Sequence, residues 1–161
     1  MKKKNNRASQ ESESEDVQIS ECRIMSQRKI FFFHEERSSL WLHNVHEVET
    51  LRIKIDDCEI RGNESIRCDF MLVTPDAEIY IELKGGDVNH AVEQIRTTLR
   101  RMSREFRKTT RKAYIICSSA PKTSSKNQKR EASFKKEENC DLIIRASLSK
   151  CPPSNNPIYQ Y

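Results

Sequence analysis

The order of apolar and polar residues along the chain predicts a series of short strands. Strict alternation in LRIKI (51–55) places three apolar residues on one face, which indicates a half-buried strand. Four further apolar runs are bounded by turn-forming residues and also predict strands. These runs are IRCDFMLV (66–73), EIYIELK (78–84), KAYIICSS (112–119) and DLIIRAS (141–147). Residues 23–42 are rich in aromatic and aliphatic residues, but their periodicity favours neither helix nor strand.

One helix is predicted between the strands at 78–84 and 112–119. Gly85 and Gly86 interrupt the chain, and Asp87 is a suitable N-cap for a helix over residues 87–108. Apolar residues recur there every three or four positions and form a single stripe. The stripe consists of Val88, Val92, Ile95, Leu99, Met102 and Phe106. A helix between two strands favours a βαβ crossover, so the predicted fold class is α/β with a mixed sheet.

Composition divides the chain into one folded domain and two tails. Hydrophobic residues make up only 35% of the 161 residues, so part of the chain is not expected to pack. We predict a disordered charged tail at 1–20, a domain at 21–150 and an irregular proline-containing tail at 151–161. Within the domain, residues 120–139 are poor in apolar side chains and predict an exposed excursion with a short helix near Phe134.

Charge is distributed unevenly between the two halves of the chain. Residues 1–85 carry a net charge of −4 and residues 86–161 carry +9, which together give the overall +5. Eight basic residues and one acidic residue lie between Arg96 and Lys112. Such a run is either a solvated face or a surface for a polyanion. The candidate nucleic-acid contacts are Arg96, Arg100 and Arg104.

The cysteines and the lack of a long apolar run bear on the location of the protein. Six cysteines are scattered without a C-x-x-C pair, so neither a zinc site nor a disulfide scaffold is predicted. No apolar run approaches the roughly 18 residues that a membrane span requires. We therefore expect a reduced cytoplasmic protein that does not act at a membrane.

Two carboxylates stand inside the predicted hairpin formed by residues 66–84. A four-residue turn at 74–77 sets a register in which Asp69 lies opposite Glu82, and such a pair repels by up to about 1 kcal/mol. A Mg²⁺ ion would relieve the repulsion, because it takes carboxylate oxygens as ligands. Lys84 lies on the same face as Glu82 and would assist the chemistry of a bound phosphate. The alternative is an exposed sheet surface on which the acids pair with Arg67 and Lys84.

These residues resemble the PD-(D/E)XK nuclease superfamily. The acidic residue Asp69, then Glu-Leu-Lys at 82–84 on the next strand, then a helix carrying EQIRTTL are similar to the motif of that family, including small bacterial members. The resemblance covers about residues 51–118 and implies a restriction-endonuclease-like core of order αβββαβ in a single domain. It also implies Asp69, Glu82 and the Leu83 carbonyl as Mg²⁺ ligands, Lys84 as the catalytic lysine and Gln94 as an assisting residue.

The resemblance predicts a nuclease that hydrolyses DNA phosphodiester bonds with Mg²⁺, or with Mn²⁺ in its place. Many members carry another acid on a first helix. Its candidates here are Glu35, Glu36, Glu47, Glu49, Asp56 and Asp57. Expected partners are double-stranded DNA and either a second copy of the chain or a larger nuclease assembly. Two alternatives remain: a junction resolvase on the same fold, and a non-catalytic nucleic-acid-binding or regulatory module.

Overall fold

A computed structural model of the chain describes residues 16–62, 66–84, 86–118, 125–147 and 159–160; the side chains of residues 84, 159 and 160 lie outside this description. The strands are β1 (Val17–Gln18), β2 (Arg23–Ser26), β3 (Ile30–Glu35), β4 (Ser38–His43), β5 (Thr50–Lys54), β6 (Phe70–Val73), β7 (Ala77–Lys84), β8 (Thr110–Cys117), β9 (Asp141–Ala146) and β10 (Tyr159–Gln160). The helices are α1 (Val88–Phe106) and α2 (Ser125–Glu138).

The central sheet has seven strands in the order β1-β2-β5-β6-β7-β8-β9. Neighbours from β1 to β7 pair antiparallel, whereas β7, β8 and β9 pair parallel because α1 and α2 supply the crossovers. The prediction of a single α/β domain with a mixed sheet is confirmed. The βββαβ part of the expected core order is present as β5-β6-β7-α1-β8, but residues 16–62 contain no helix before it.

A second sheet, of order β10-β4-β3, gives the domain three layers. Inward residues of β3 and β4 pack on one face of the central sheet, against side chains that include Ile79 and Ile81 of β7. Both helices pack on the opposite face, which carries Tyr80. Residues 23–42, for which the sequence favoured neither helix nor strand, belong to β2, β3 and β4. In the paired strands β3 and β4, buried residues alternate with more exposed ones, as expected for strands that pack on one face.

The hairpin β6–β7 has the register that the sequence predicts. Val73 pairs with Glu78, Leu72 with Ile79, and Phe70 with Ile81. The Thr74 hydroxyl accepts hydrogen bonds from the N–H groups of Asp76 and Ala77 and thereby closes the turn.

Helix α1 follows the predicted stripe and begins at the predicted cap. The Asp87 carboxylate accepts a hydrogen bond from the His90 N–H at 3.0 Å. The helix ends where Arg107 adopts a left-handed conformation and its N–H donates to the Ser103 carbonyl. Helix α2 is longer than the short helix expected near Phe134. It is held mainly through that residue, which is 1% exposed.

Outside the hairpin and α1, the structure places short strands in both predicted tails and corrects one prediction, that of reduced cysteines. Strand β1 lies within the predicted tail at 1–20, because it pairs with the edge of β2, whereas residues 1–15 lie outside the described part. In the predicted tail at 151–161, only β10 is described, and it pairs with β4. Cys22 and Cys58 form a disulfide, contrary to the expectation of reduced cysteines. They meet because they flank the paired strands β2 and β5, which sequence spacing alone does not reveal.

Candidate functional site

Asp69 lies at a bend immediately before β6, between the ends of β5 and β7. Its carbonyl accepts hydrogen bonds from the N–H groups of Ile55 (2.9 Å) and Asp56 (3.3 Å). Its N–H donates to the Ile81 carbonyl at 3.1 Å. Ile81 is already the partner of Phe70 in the β6–β7 ladder, so Asp69 and Phe70 both lie opposite one residue of β7. The regular ladder therefore stops one residue short of the predicted pairing of Asp69 with Glu82.

The carboxylate of Asp69 is buried and shares its surroundings with another acid. It is 8% exposed, and its Oδ2 accepts a hydrogen bond from the Leu83 N–H at 2.6 Å. The carboxyl group of Glu35, at the end of β3, hydrogen-bonds to it from the second sheet. Burial, together with the charges of Glu35 and Asp56, raises the pKa of Asp69 to about 7 against the opposing effect of the Leu83 N–H. The raised pKa means that Asp69 holds its proton to a higher pH than an exposed aspartate does.

Glu82 is buried on the helix side of the central sheet. It follows Tyr80 on the same face of β7 and is 2% exposed. Burial and the charge of Glu82 both raise the pKa of the Cys117 thiol on β8. Burial also raises the pKa of the Cys68 thiol, with smaller contributions from both Glu82 and Asp69. The carboxylates of Asp69 and Glu82 therefore both lie near the buried Cys68 thiol.

Side chains of α1 hold the chain just before Asp69. The Thr98 hydroxyl accepts a hydrogen bond from the Cys68 N–H at 2.9 Å. The Gln94 side-chain amide donates to the Arg67 carbonyl at 2.9 Å. These contacts replace ladder hydrogen bonds, which is why β6 begins at Phe70 and not at residue 66 as predicted. They also place Cys68 on the helix side of the sheet, whereas strict alternation along a continuous strand would put it on the same face as Phe70.

The Arg67 side chain turns towards the loop after β5. Its guanidinium pairs with Asp56 at 2.5 Å and with Asp57 at 2.7 Å. The Arg67 guanidinium is therefore held by the two acids of the loop after β5. Among the predicted additional acids, Glu35 is therefore the one whose carboxyl group hydrogen-bonds to that of Asp69, whereas Asp56 acts on Asp69 through its charge.

A cavity of about 340 Å³ adjoins this acidic pair at the carboxyl ends of β7 and β8. It is lined by Glu35, Glu36, Arg37, Ser38, Leu83 and Ser118. In sheets with parallel strands, ligands bind outside the carboxyl ends of the strands, where loops and side chains converge. The turn between β3 and β4 forms the other wall, so the second sheet completes the site.

The predicted nucleic-acid contacts on α1 are largely engaged by acidic residues. Arg96 pairs with Glu93, Glu137 and Glu138, and Arg100 pairs with Glu138 at 2.5 Å. Arg104 is exposed in the last turn of α1. A phosphate at Arg96 or Arg100 would have to displace a carboxylate of α2, so Arg104 is the more accessible of the predicted contacts.

Lys84 is the last residue of β7, and its backbone pairs with Cys117 in register. Its side chain lies outside the described residues, as does Gly85. In the described part of the chain, no three His, Cys, Asp or Glu side chains form a group that could hold a metal ion. Among the same residues, no helix is both long and apolar enough to cross a membrane.

Sequence reasoning did not identify Thr98 as part of this region, and it left Glu35 among six candidates. Thr98 is completely buried beside the apolar stripe of α1. A polar residue on the buried side of a helix was the feature of the sequence that could have indicated its role. Glu35 reaches Asp69 from another sheet, which no local pattern indicates. Comparison of the chain with protein-family models, with curated proteins and with solved structures finds no match.

Proposed function

We propose that the protein is a Mg²⁺-dependent nuclease that hydrolyses DNA phosphodiester bonds at the Asp69–Glu82–Lys84 site, on a restriction-endonuclease-like core. The observation that carries the proposal is the buried Asp69 carboxylate, hydrogen-bonded to the Leu83 N–H and to the Glu35 carboxyl group beside a cavity at the ends of parallel strands. Strongly perturbed pKa values cluster at functional sites, because catalytic acids and bases need pKa values matched to their task.

The donor atoms suit a hard divalent cation. Mg²⁺ commonly uses one or two carboxylates and retains several waters, so Asp69, Glu82 and the Leu83 carbonyl would serve as its ligands in this proposal. When bound, the cation would supply Lewis-acid activation of the phosphate. It would also favour the ionised form of Asp69, whose pKa is raised in the metal-free protein.

The residues around the acids have distinct roles in this proposal. Lys84 would balance the negative charge that develops on the phosphate. Glu35 lines the cavity beside Asp69 and would contact the water or substrate that enters it. Gln94 would act as a positioning residue, because it holds the Arg67 carbonyl two residues before Asp69. The excess of positive charge in residues 86–161 would attract the polyanion.

The experiment is a cleavage assay on linear duplex, single-stranded and four-way junction DNA in the presence of Mg²⁺, Mn²⁺ or EDTA. We expect cleavage with either cation and none with EDTA. Glu82→Gln and Lys84→Ala should abolish cleavage, and Gln94→Ala should reduce it. Asp76→Asn, an exposed carboxylate in the β6–β7 turn, is the matched control and should cleave like the wild type. Undiminished cleavage by folded Glu82→Gln and Lys84→Ala proteins would refute the assignment.

A second candidate is a non-catalytic nucleic-acid-binding or regulatory module. It is favoured by the exposed Arg104 in the last turn of α1, which can contact a phosphate whether or not a metal is bound. Titration calorimetry with Mg²⁺ and Mn²⁺ separates the two candidates. No heat and no thermal stabilisation, combined with DNA binding, would support this second function.

A further inference from the structure

The outer face of the β3–β4 hairpin carries three neighbouring aromatic rings. Phe32 and Trp41 are paired across the hairpin, with ring centroids 4.1 Å apart. His34 follows on the same face of β3 and stacks with Phe32 at 6.1 Å. Phe32 is 42% exposed, whereas its neighbours Phe31 and Phe33 are buried against the central sheet. Phe32 and His34 are thus exposed and Trp41 is half-buried, and neither Phe32 nor Trp41 belongs to the clusters of core residues.

The outward strand positions of this face carry no negative charge that would repel a polyanion. Its outward-facing positions contain no carboxylate, although the chain has 24 acidic residues. These positions are Ile30, Phe32, His34, Ser39, Trp41 and His43. Lys29 precedes the hairpin and Arg37 lies in its turn. Both are exposed, and neither side chain pairs with an acid among the described residues.

The same hairpin leads into the candidate site. Arg37 and Glu36 line the cavity beside Leu83, and Glu35 hydrogen-bonds to Asp69. A strand lying along the aromatic face and past the turn would therefore reach the acidic pair.

We propose that the outer face of the β3–β4 hairpin, with Phe32 and Trp41 at its centre, is a stacking platform for unpaired nucleotides that guides a single-stranded nucleic acid to the cavity. Bases of a single strand present their faces to aromatic side chains, whereas those of a duplex are already stacked on each other. The guiding role rests on the proposed nuclease function. The stacking itself does not require cleavage.

Trp41 is the single tryptophan of the chain, so its fluorescence reports on this face directly. The protein is titrated in EDTA with a short oligothymidylate and, separately, with a mixed-sequence duplex, while Trp41 emission and the anisotropy of a labelled strand are followed. We expect the single strand to quench Trp41 and the duplex to leave its emission unchanged. Phe32→Ala should weaken binding about tenfold, in line with the loss of one stacked base. Phe32→Tyr should retain binding.

Ile66→Ala is the matched control, because Ile66 is 46% exposed and lies outside this face. It should bind like the wild type. Equal affinity of Phe32→Ala and wild type, unchanged Trp41 emission on binding, or a preference for duplex would overturn the proposal. A concentration-dependent change in Trp41 emission without DNA, with a dimer that Phe32→Ala dissociates, would instead assign the face to a second copy of the chain.

The two proposals can fail separately. Quenching of Trp41 together with no cleavage under any metal condition would remove the nuclease function and the guiding role, but keep the stacking platform. Cleavage by both wild type and Phe32→Ala at equal rates and affinities would keep the nuclease and remove the platform.

Discussion

Replacing Asp69 with Asn should stabilise the metal-free protein at high pH. Burial first, and then the charges of Glu35 and Asp56, raise the pKa of Asp69 from 3.8 to about 7. A carboxyl group whose pKa is higher in the folded than in the unfolded protein contributes its full stabilisation only below its pKa in the unfolded protein. This stabilisation is lost as the pH rises through the pKa in the folded protein. Above pH ~8, this difference between the two pKa values lowers the free energy of unfolding of the wild type by up to about 4 kcal/mol.

Asn is neutral over this range and has a similar shape, and its oxygen can still accept the hydrogen bond from the Leu83 N–H. The free energies of unfolding of wild type and Asp69→Asn should therefore differ little near pH ~4 and diverge towards pH ~8, with the variant the more stable. Urea denaturation in EDTA, followed by circular dichroism, measures the difference at each pH. Saturating Mg²⁺ should restore stability to the wild type and not to Asp69→Asn.

Asp76→Asn provides the control, since Asp76 is exposed on the same hairpin. It should change the free energy of unfolding by no more than about 0.5 kcal/mol at every pH. A difference between Asp69→Asn and wild type that does not vary with pH would refute the reasoning, because it would show that Asp69 is ionised with its ordinary pKa in the folded protein.

Three further predictions concern stability. Glu78→Ala should cost about 3–5 kcal/mol in urea denaturation, because Glu78 is completely buried and its loss leaves the Tyr80 hydroxyl without its acceptor at 2.7 Å. Reduction of the Cys22–Cys58 disulfide, which spans 36 residues, should cost up to about 4 kcal/mol, and a Cys58→Ser variant should not respond to the reductant. Thr98→Val should lower the thermal midpoint by the equivalent of about 1–3 kcal/mol, because its hydroxyl satisfies a buried backbone N–H, whereas Thr98→Ser should retain most of that stability.

The sequence alone determined the elements whose causes are local. The register of β6–β7 follows from the period-two alternation of side chains and the length of one turn, so Val73 could be paired with Glu78 in advance. Helix α1 follows from its cap at Asp87 and a continuous apolar stripe, both of which lie within the helix segment itself. Asp69 and Glu82 were identified as candidate site residues from the same predicted hairpin.

The tertiary structure decided what depends on residues far apart in the chain. Glu35 reaches Asp69 only because the second sheet packs on the central one, and Arg96 is paired by α2 because the two helices lie on one face. The bend at Asp69 exists because Thr98 of α1 takes the Cys68 N–H that a longer strand would have used. Local patterns specify which face of an element is buried, but the groups that meet across that face depend on how the layers pack, and that packing sets the burial, charge and protonation of the candidate site.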